Sequence, residues 1–200
     1  MIYLMRHGET VWNIERRLQG QGDSALTPKG LQQAAAYGER LRRETLDLDS
    51  LRFVCSPLRR ACHTAEIVAA GLGFPADRIE IDARLAEFAF GQWEGLTFEE
   101  VERDHREAFE RRKADRWNLR VPGGECFCDI ARRVQPWLRE LGERGTVLAV
   151  SHGATSRVIR GLYGGQAIEA TMALPEPQDR IFRLSGGRIE ELTADRIGKV

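Results

Sequence analysis

Two stretches of the chain, MIYLMRHGET at residues 1–10 and TVLAVSHGAT at residues 146–155, share one pattern: an apolar run followed by x-His-Gly-x-Thr. No other feature constrains the fold as tightly. Residues 2–5 and 146–150 are short, continuous apolar runs, which read as buried strands. A glycine after each histidine lets the backbone approach a ligand closely and offer its N–H groups. In open α/β sheets, ligands bind beyond the carboxyl ends of the strands. If these two strands are parallel neighbours, their histidines meet on one rim.

The rest of the chain alternates in the same way. Thr27-Pro28 reads as an N-cap with proline at the first helical position. Leu31, Ala34, Ala35, Gly38 and Leu41 follow at helical spacing. Residues 51–55 form a second strand candidate, then Ser56-Pro57 and a helix through Ala70. Residues 79–81 are a third strand candidate. Phe127, Ile130, Ala131, Val134, Trp137, Leu138 and Leu141 mark a helix, with Pro136 expected to kink or restrict it. A helix over 154–162 and a hairpin over 180–192, turning at Gly186-Gly187, complete the pattern. The prediction is an α/β fold in three layers, with a mostly parallel central sheet, helices on both faces and a small cap insertion. One domain over 1–200 is expected, with 84–125 as the cap. There, Thr97 and Glu100 make a capping box. It opens one charged helix striped by Phe98, Val101, His105, Ala108 and Phe109, with its charges from Glu99 to Arg116 solvated or helping to choose a substrate.

Composition narrows the function. Lys plus Arg and Asp plus Glu both number 30, a balance that argues against a nucleic-acid partner. No apolar run approaches a membrane span, and the first residues turn polar too soon for a signal peptide. The cysteines, Cys55, Cys62, Cys126 and Cys128, include no C-x-x-C pair. Free thiols in a cytoplasmic protein are expected, with no zinc site.

Three strand ends carry polar residues suited to chemistry: Arg6-His7-Gly8-Glu9, Ser56-Pro57-Leu58-Arg59-Arg60 and Ser151-His152-Gly153. Converging on one rim, they make a pocket for a dianion, most simply a phosphate group. Helices starting near Arg60 and Ala154 would add positive dipole ends. Neutral imidazole is a good nucleophile near pH 7, and nearby arginines keep it unprotonated. One histidine could attack phosphorus, a carboxylic acid could protonate the leaving alkoxide, and water could then hydrolyse the phosphohistidine. No metal or cofactor is required.

These residues resemble the histidine phosphatase superfamily, also called the phosphoglycerate mutase-like family. The resemblance rests on Arg6-His7-Gly8-Glu9-Thr10 with Trp12-Asn13; Gln19-Gly20, Asp23, Leu26-Thr27 and Gly30; Ser56-Pro57-Leu58, Arg60-Ala61 and Thr64-Ala65; Leu85, Glu87, Phe90-Gly91 and Trp93-Glu94-Gly95; Gly123-Gly124-Glu125; and Ser151-His152-Gly153. It implies His7 as the phosphorylated nucleophile, Arg6 and Arg60 as the phosphoryl clamp, His152 as the second histidine and Glu87 as proton donor and acceptor. Asn13, Gln19, Gly20 and Gly153 would line the phosphate and substrate pocket. Arg59 stands at a variable position and takes no role. His63 is expected on a helix surface and His105 packed. Cys126 stands where the family often has serine, and Ala89 where it often has a polar residue.

The expected activity is hydrolysis of small phosphorylated metabolites by a metal-independent phosphomonoesterase. The alternative is a phosphoglycerate mutase that depends on 2,3-bisphosphoglycerate, disfavoured because Glu87 sits in E-F-A-F-G-Q-W-E-G and the following insert is short. An alternative of another class is a non-catalytic phosphate-ligand binding module. The residues leave substrate identity and oligomeric state open.

Overall fold

The computed structural model describes residues 1–141 and 145–194. Strand β1 (Ile2–Arg6) leads into a one-turn helix α1 (Val11–Ile14), then α2 (Pro28–Leu41), β2 (Arg52–Cys55), α3 (Arg59–Leu72) and β3 (Ile79–Ile81). There follow α4 (Phe98–Asp104), α5 (Arg106–Ala114), α6 (Phe127–Leu141), β4 (Val147–Ser151), α7 (Gly153–Tyr163), α8 (Ile168–Ala173) and the hairpin β5 (Arg180–Ser185) and β6 (Arg188–Thr193). The six strands form one sheet in the order β3-β2-β4-β1-β5-β6. The first four run parallel, and β5 pairs antiparallel with both β1 and β6. This is the mostly parallel α/β sheet that the sequence predicts.

Side chains of a strand alternate between the two faces of its sheet. Ile2, Leu4, Val54, Val147 and Ala149 therefore pack on one side with Ile130, Val134 and Trp137 of α6 and Val158 and Ile159 of α7. Tyr3, Met5, Phe53, Cys55, Leu148 and Val150 pack on the other with Tyr37 and Leu41 of α2 and Ala61, Ala65 and Val68 of α3. Both faces are covered, which is why these strands read as continuous apolar runs.

Helix α2 starts as its sequence dictates: Pro28 stands in the first turn and the Thr27 side chain accepts from the Gly30 amide. Its buried face is Ala34, Tyr37, Gly38 and Leu41. Leu31, expected on that face, is exposed; it borders a cavity of about 340 Å³ with Arg59 and His63. Helix α6 continues through Pro136, which lies on its exposed side.

The charged stretch within residues 84–125 departs from expectation. The charged segment forms two helices, α4 and α5, because the backbone leaves helical geometry at His105 (φ −131°, ψ 33°). Thr97 and Glu100 do form the capping box. Val101 is buried while Phe98 is exposed. The break turns Arg112 of α5 inward, where it is only 5% exposed, so the charge run is not a wholly solvated face. Trp93, Val101 and Val121 join the same core as α6.

Cys126 and Cys128 are joined in a disulfide, which corrects the expectation of four free thiols. The backbone at the start of α6 sets their Cα atoms 5.3 Å apart. Cys55 and Cys62 remain thiols. No described helix is long and apolar enough to cross a membrane.

Trp137 is 1% exposed between α6 and the sheet. Trp137→Ala is expected to lower stability by about 3–5 kcal/mol. In urea unfolding it should lower the midpoint and leave the slope unchanged.

Candidate active site

β1 and β4 lie side by side with Arg6 opposite Ser151. The His7 amide donates to the Ser151 carbonyl at 2.9 Å. This register puts His7 and His152 on one rim, with ring centroids 5.0 Å apart. Both are buried. The chain approaches itself closely beneath them: a Cβ on Gly8 would stand 2.3 Å from the Gly30 carbonyl oxygen. Only glycine fits there.

His7 Nδ1 lies 2.7 Å from the Gly8 carbonyl oxygen. A carbonyl only accepts, so Nδ1 carries the proton and Nε2 keeps its lone pair. Burial pushes the His7 imidazole well below its ordinary pKa, and the charges of Arg6 and Arg60 push it the same way, against the pull of the Gly8 carbonyl. His152 is depressed first by burial and then by Arg60, His7 and Arg6. Its Nε2 meets the Ser56 hydroxyl at 2.7 Å.

Arg60 stands in the first turn of α3 and is buried. It donates to the carbonyls of Gly22 at 2.7 Å and Gly20 at 2.6 Å. Its neighbour Arg59 is exposed, so the structure separates the two arginines as the sequence does. Arg6 donates to the Glu176 carbonyl. The buried nitrogens Arg6 Nε, Arg60 Nε and His152 Nδ1 have no hydrogen-bond partner among the described residues. Buried donors of this kind, on cations and beside a helix start, suit an anion.

Glu87 reaches the start of α7. Its carboxylate accepts from the amides of Ala154 at 3.2 Å and Thr155 at 3.1 Å, and from the Thr155 hydroxyl at 3.2 Å. The Asn13 carbonyl oxygen accepts from the Thr10 amide and from Gln178, each at 3.0 Å, which leaves the Asn13 amide nitrogen as its free donor. Gln178 also donates to the His7 carbonyl at 3.2 Å, tying Asn13 to the end of β1. Gln19 is buried. Gly20 offers its carbonyl to Arg60. Gly153 opens α7, and a Cβ there would stand 2.6 Å from a Glu176 carboxylate oxygen and 3.3 Å from the Arg6 guanidinium carbon.

A model of the histidine phosphatase superfamily, branch 1, matches residues 2–185. The chain belongs to that family. It is 36% identical over 187 residues to the Erwinia tasmaniensis protein named "Probable phosphoglycerate mutase GpmB", covering 92% of this chain and 80% of that one. Among solved structures of this superfamily, it resembles the α-ribazole phosphatase of Shigella flexneri (TM-score 0.82, 25% identity, 100% of this chain and 98% of that one). It also resembles a mycobacterial glucosyl-3-phosphoglycerate phosphatase complexed with VO3 (TM-score 0.77, 30% identity, 96% of each chain).

Several contributors escaped the reading of the sequence. Ser56, Thr64 and Thr155 stand inside or beside the histidine phosphatase motifs, and nothing in their spacing marks their hydroxyls. Thr64 accepts from the Gly8 amide at 3.1 Å. Glu176 and Gln178 lie in an aperiodic loop, where no spacing marks them. The one described grouping of three potential metal-ligating atoms, at Cys126, Cys128 and Asp129, has its sulfurs joined and its carboxylate held by Arg120 and Arg132.

Depressed histidines make stability depend on pH. Below about pH 6.5 the unfolded chain takes up protons at His7 and His152 that the native state refuses. Stability is therefore full above that pH and falls below it, by up to about 1.4 kcal/mol per pH unit for each histidine. Denaturant unfolding between pH 7.5 and 5.5 checks this, and His7→Ala is expected to remove roughly half of the slope.

Proposed function

We propose that this chain is a metal-independent phosphomonoesterase that hydrolyses small phosphorylated metabolites through phosphohistidine on His7. The observation that carries this reading is the His7 ring itself: Nδ1 tied to the Gly8 carbonyl, Nε2 free, and two guanidinium groups beside it. In the first half-reaction, Nε2 attacks phosphorus and the ester P–O bond breaks. Glu87 takes up a proton as the phosphate dianion binds beside it and gives that proton to the departing alkoxide. The ring then carries positive charge, which the Gly8 carbonyl stabilises through Nδ1–H. In the second half-reaction, water attacks phosphorus, Glu87 takes its proton back, and the N–P bond breaks to release phosphate and neutral imidazole.

Arg6, Arg60, His152 and Asn13 supply donors for the phosphoryl oxygens. Such donors act most strongly in a buried site, where the surroundings screen little. With both imidazoles neutral, the arginines provide the positive charge. Hydrolysis is favoured over mutase action because solved structures that this chain resembles include phosphatases of two different metabolites. The mutase reading draws on the name of the Erwinia relative. A cytoplasmic location and a small-metabolite substrate, with no nucleic acid or membrane partner, go with the proposal.

The test is phosphate release from a panel of monoesters in excess chelator, with His7→Ala in parallel. Turnover in chelator is expected, with a loss of about four orders of magnitude or more in the variant. Release that chelator abolishes, or that survives His7→Ala, would contradict the reading. Faster isomerisation of phosphoglycerate than phosphate release, once 2,3-bisphosphoglycerate is added, would favour the mutase.

A further inference from the structure

Beside the phosphate pocket lies an imbalance of charge that the proposed chemistry leaves unused. The guanidinium carbons of Arg112, Arg116 and Arg157 lie 5.9, 5.5 and 6.0 Å from the centroid of one ring, Phe127. Arg112 also stacks on Phe88, at 4.9 Å, the residue directly after Glu87. Among the described residues no carboxylate pairs with Arg112 or Arg116, and Arg112 Nε is buried without a partner. Burial and the charge of Arg116 lower the Arg112 pKa to about 10. Three crowded guanidinium groups in a partly buried place attract an anion.

One carboxylate faces two of them, Arg157 and Arg116. Glu176 pairs with Arg157 at 3.1 Å. Its other carboxylate oxygen overhangs Gly153, on the same side as the Arg6 guanidinium. Burial, helped by the charge of Glu87, pushes the Glu176 carboxyl above its ordinary pKa, while Arg157 of α7, Arg6 of β1 and Arg116, which follows α5, pull it back toward ionisation. It therefore stands between the phosphate clamp and the arginine cluster, next to the group that serves the leaving alkoxide.

We propose that Glu176 is a specificity-determining residue: its carboxylate occupies the ground between Arg6 and the Arg112–Arg116–Arg157 cluster, and so weakens the site's hold on esters whose leaving group carries its own negative charge. The inference rests on the phosphatase reading above. A neutral leaving group does not compete with Glu176 for the arginines. An anionic one must displace it or accept a position beside it, against repulsion. The cluster supplies affinity for a second anion, and Glu176 limits that affinity.

The test compares two nearly isosteric esters, 3-phosphoglycerate and glycerol 3-phosphate, which differ by a carboxylate against a hydroxymethyl group. The readout is the ratio of their kcat/KM values, from which any general loss of folding or catalysis cancels. Glu176→Gln keeps the shape and removes the charge, and is expected to raise the ratio for the charged ester about tenfold. Arg157→Gln is expected to lower it. A ratio that Glu176→Gln leaves unchanged or lowers, with both esters still turned over, overturns this inference alone. No turnover of any monoester by the wild-type protein overturns the phosphatase reading and this inference with it.

Discussion

The parallel pairing of β1 with β4 is the contact on which the rest depends. It sets Arg6 opposite Ser151 and joins His7 to Ser151 through the backbone. A slip of one residue in such a register turns every side chain of a strand to the other face, and the two histidines would no longer share a rim. The same central strand carries β2 on its other edge, with the Ser56 amide donating to the Val150 carbonyl at 3.0 Å. That brings the Ser56 hydroxyl to His152 and starts α3 where Arg60 can turn inward. One strand, β4, thus aligns three loops that are far apart in sequence.

The price of gathering these groups is electrostatic. Buried cations are expensive unless their donors are met. Arg60 is met by the carbonyls of Gly20 and Gly22, which fix its fork without cancelling its charge. Glu87 is held differently, by the first amides of α7, where a helix start favours negative charge. The imidazoles stay neutral because burial and the arginines both disfavour a further positive charge. Positive charge and an unprotonated ring nitrogen thereby fall to different side chains of one rim. The two are linked, because the arginines beside His7 also disfavour its protonation.

Much of this was legible in the sequence, for physical reasons. Short apolar runs ending in polar glycine-bearing loops mark strands of a sheet covered on both faces, and their ends mark the rim. Thr27-Pro28 and Thr97 with Glu100 announced helix starts through capping chemistry that the structure reproduces. Other features leave no periodic trace. Helices α1 and α8 are too short to show one. The break at His105 has neither proline nor glycine to announce it. Leu31 has the right spacing for a core face, yet it lies at the helix's first turn and borders a cavity. Glu176 and Gln178 act through a loop whose path is decided by tertiary packing, so only coordinates reveal them. The bond between Cys126 and Cys128 depends on backbone geometry at the start of α6, which spacing alone did not convey.

The central claim is that His7 takes the phosphoryl group. The most direct measurement is rapid acid-free quenching during turnover of a phosphate monoester, followed by peptide mass spectrometry of the segment containing residues 1–10. The account predicts a phosphoryl group on His7 that is labile to acid, stable to base and absent from His7→Ala. Steady turnover with no phosphoryl group on His7 at any quench time, or with the label on another residue, would contradict it.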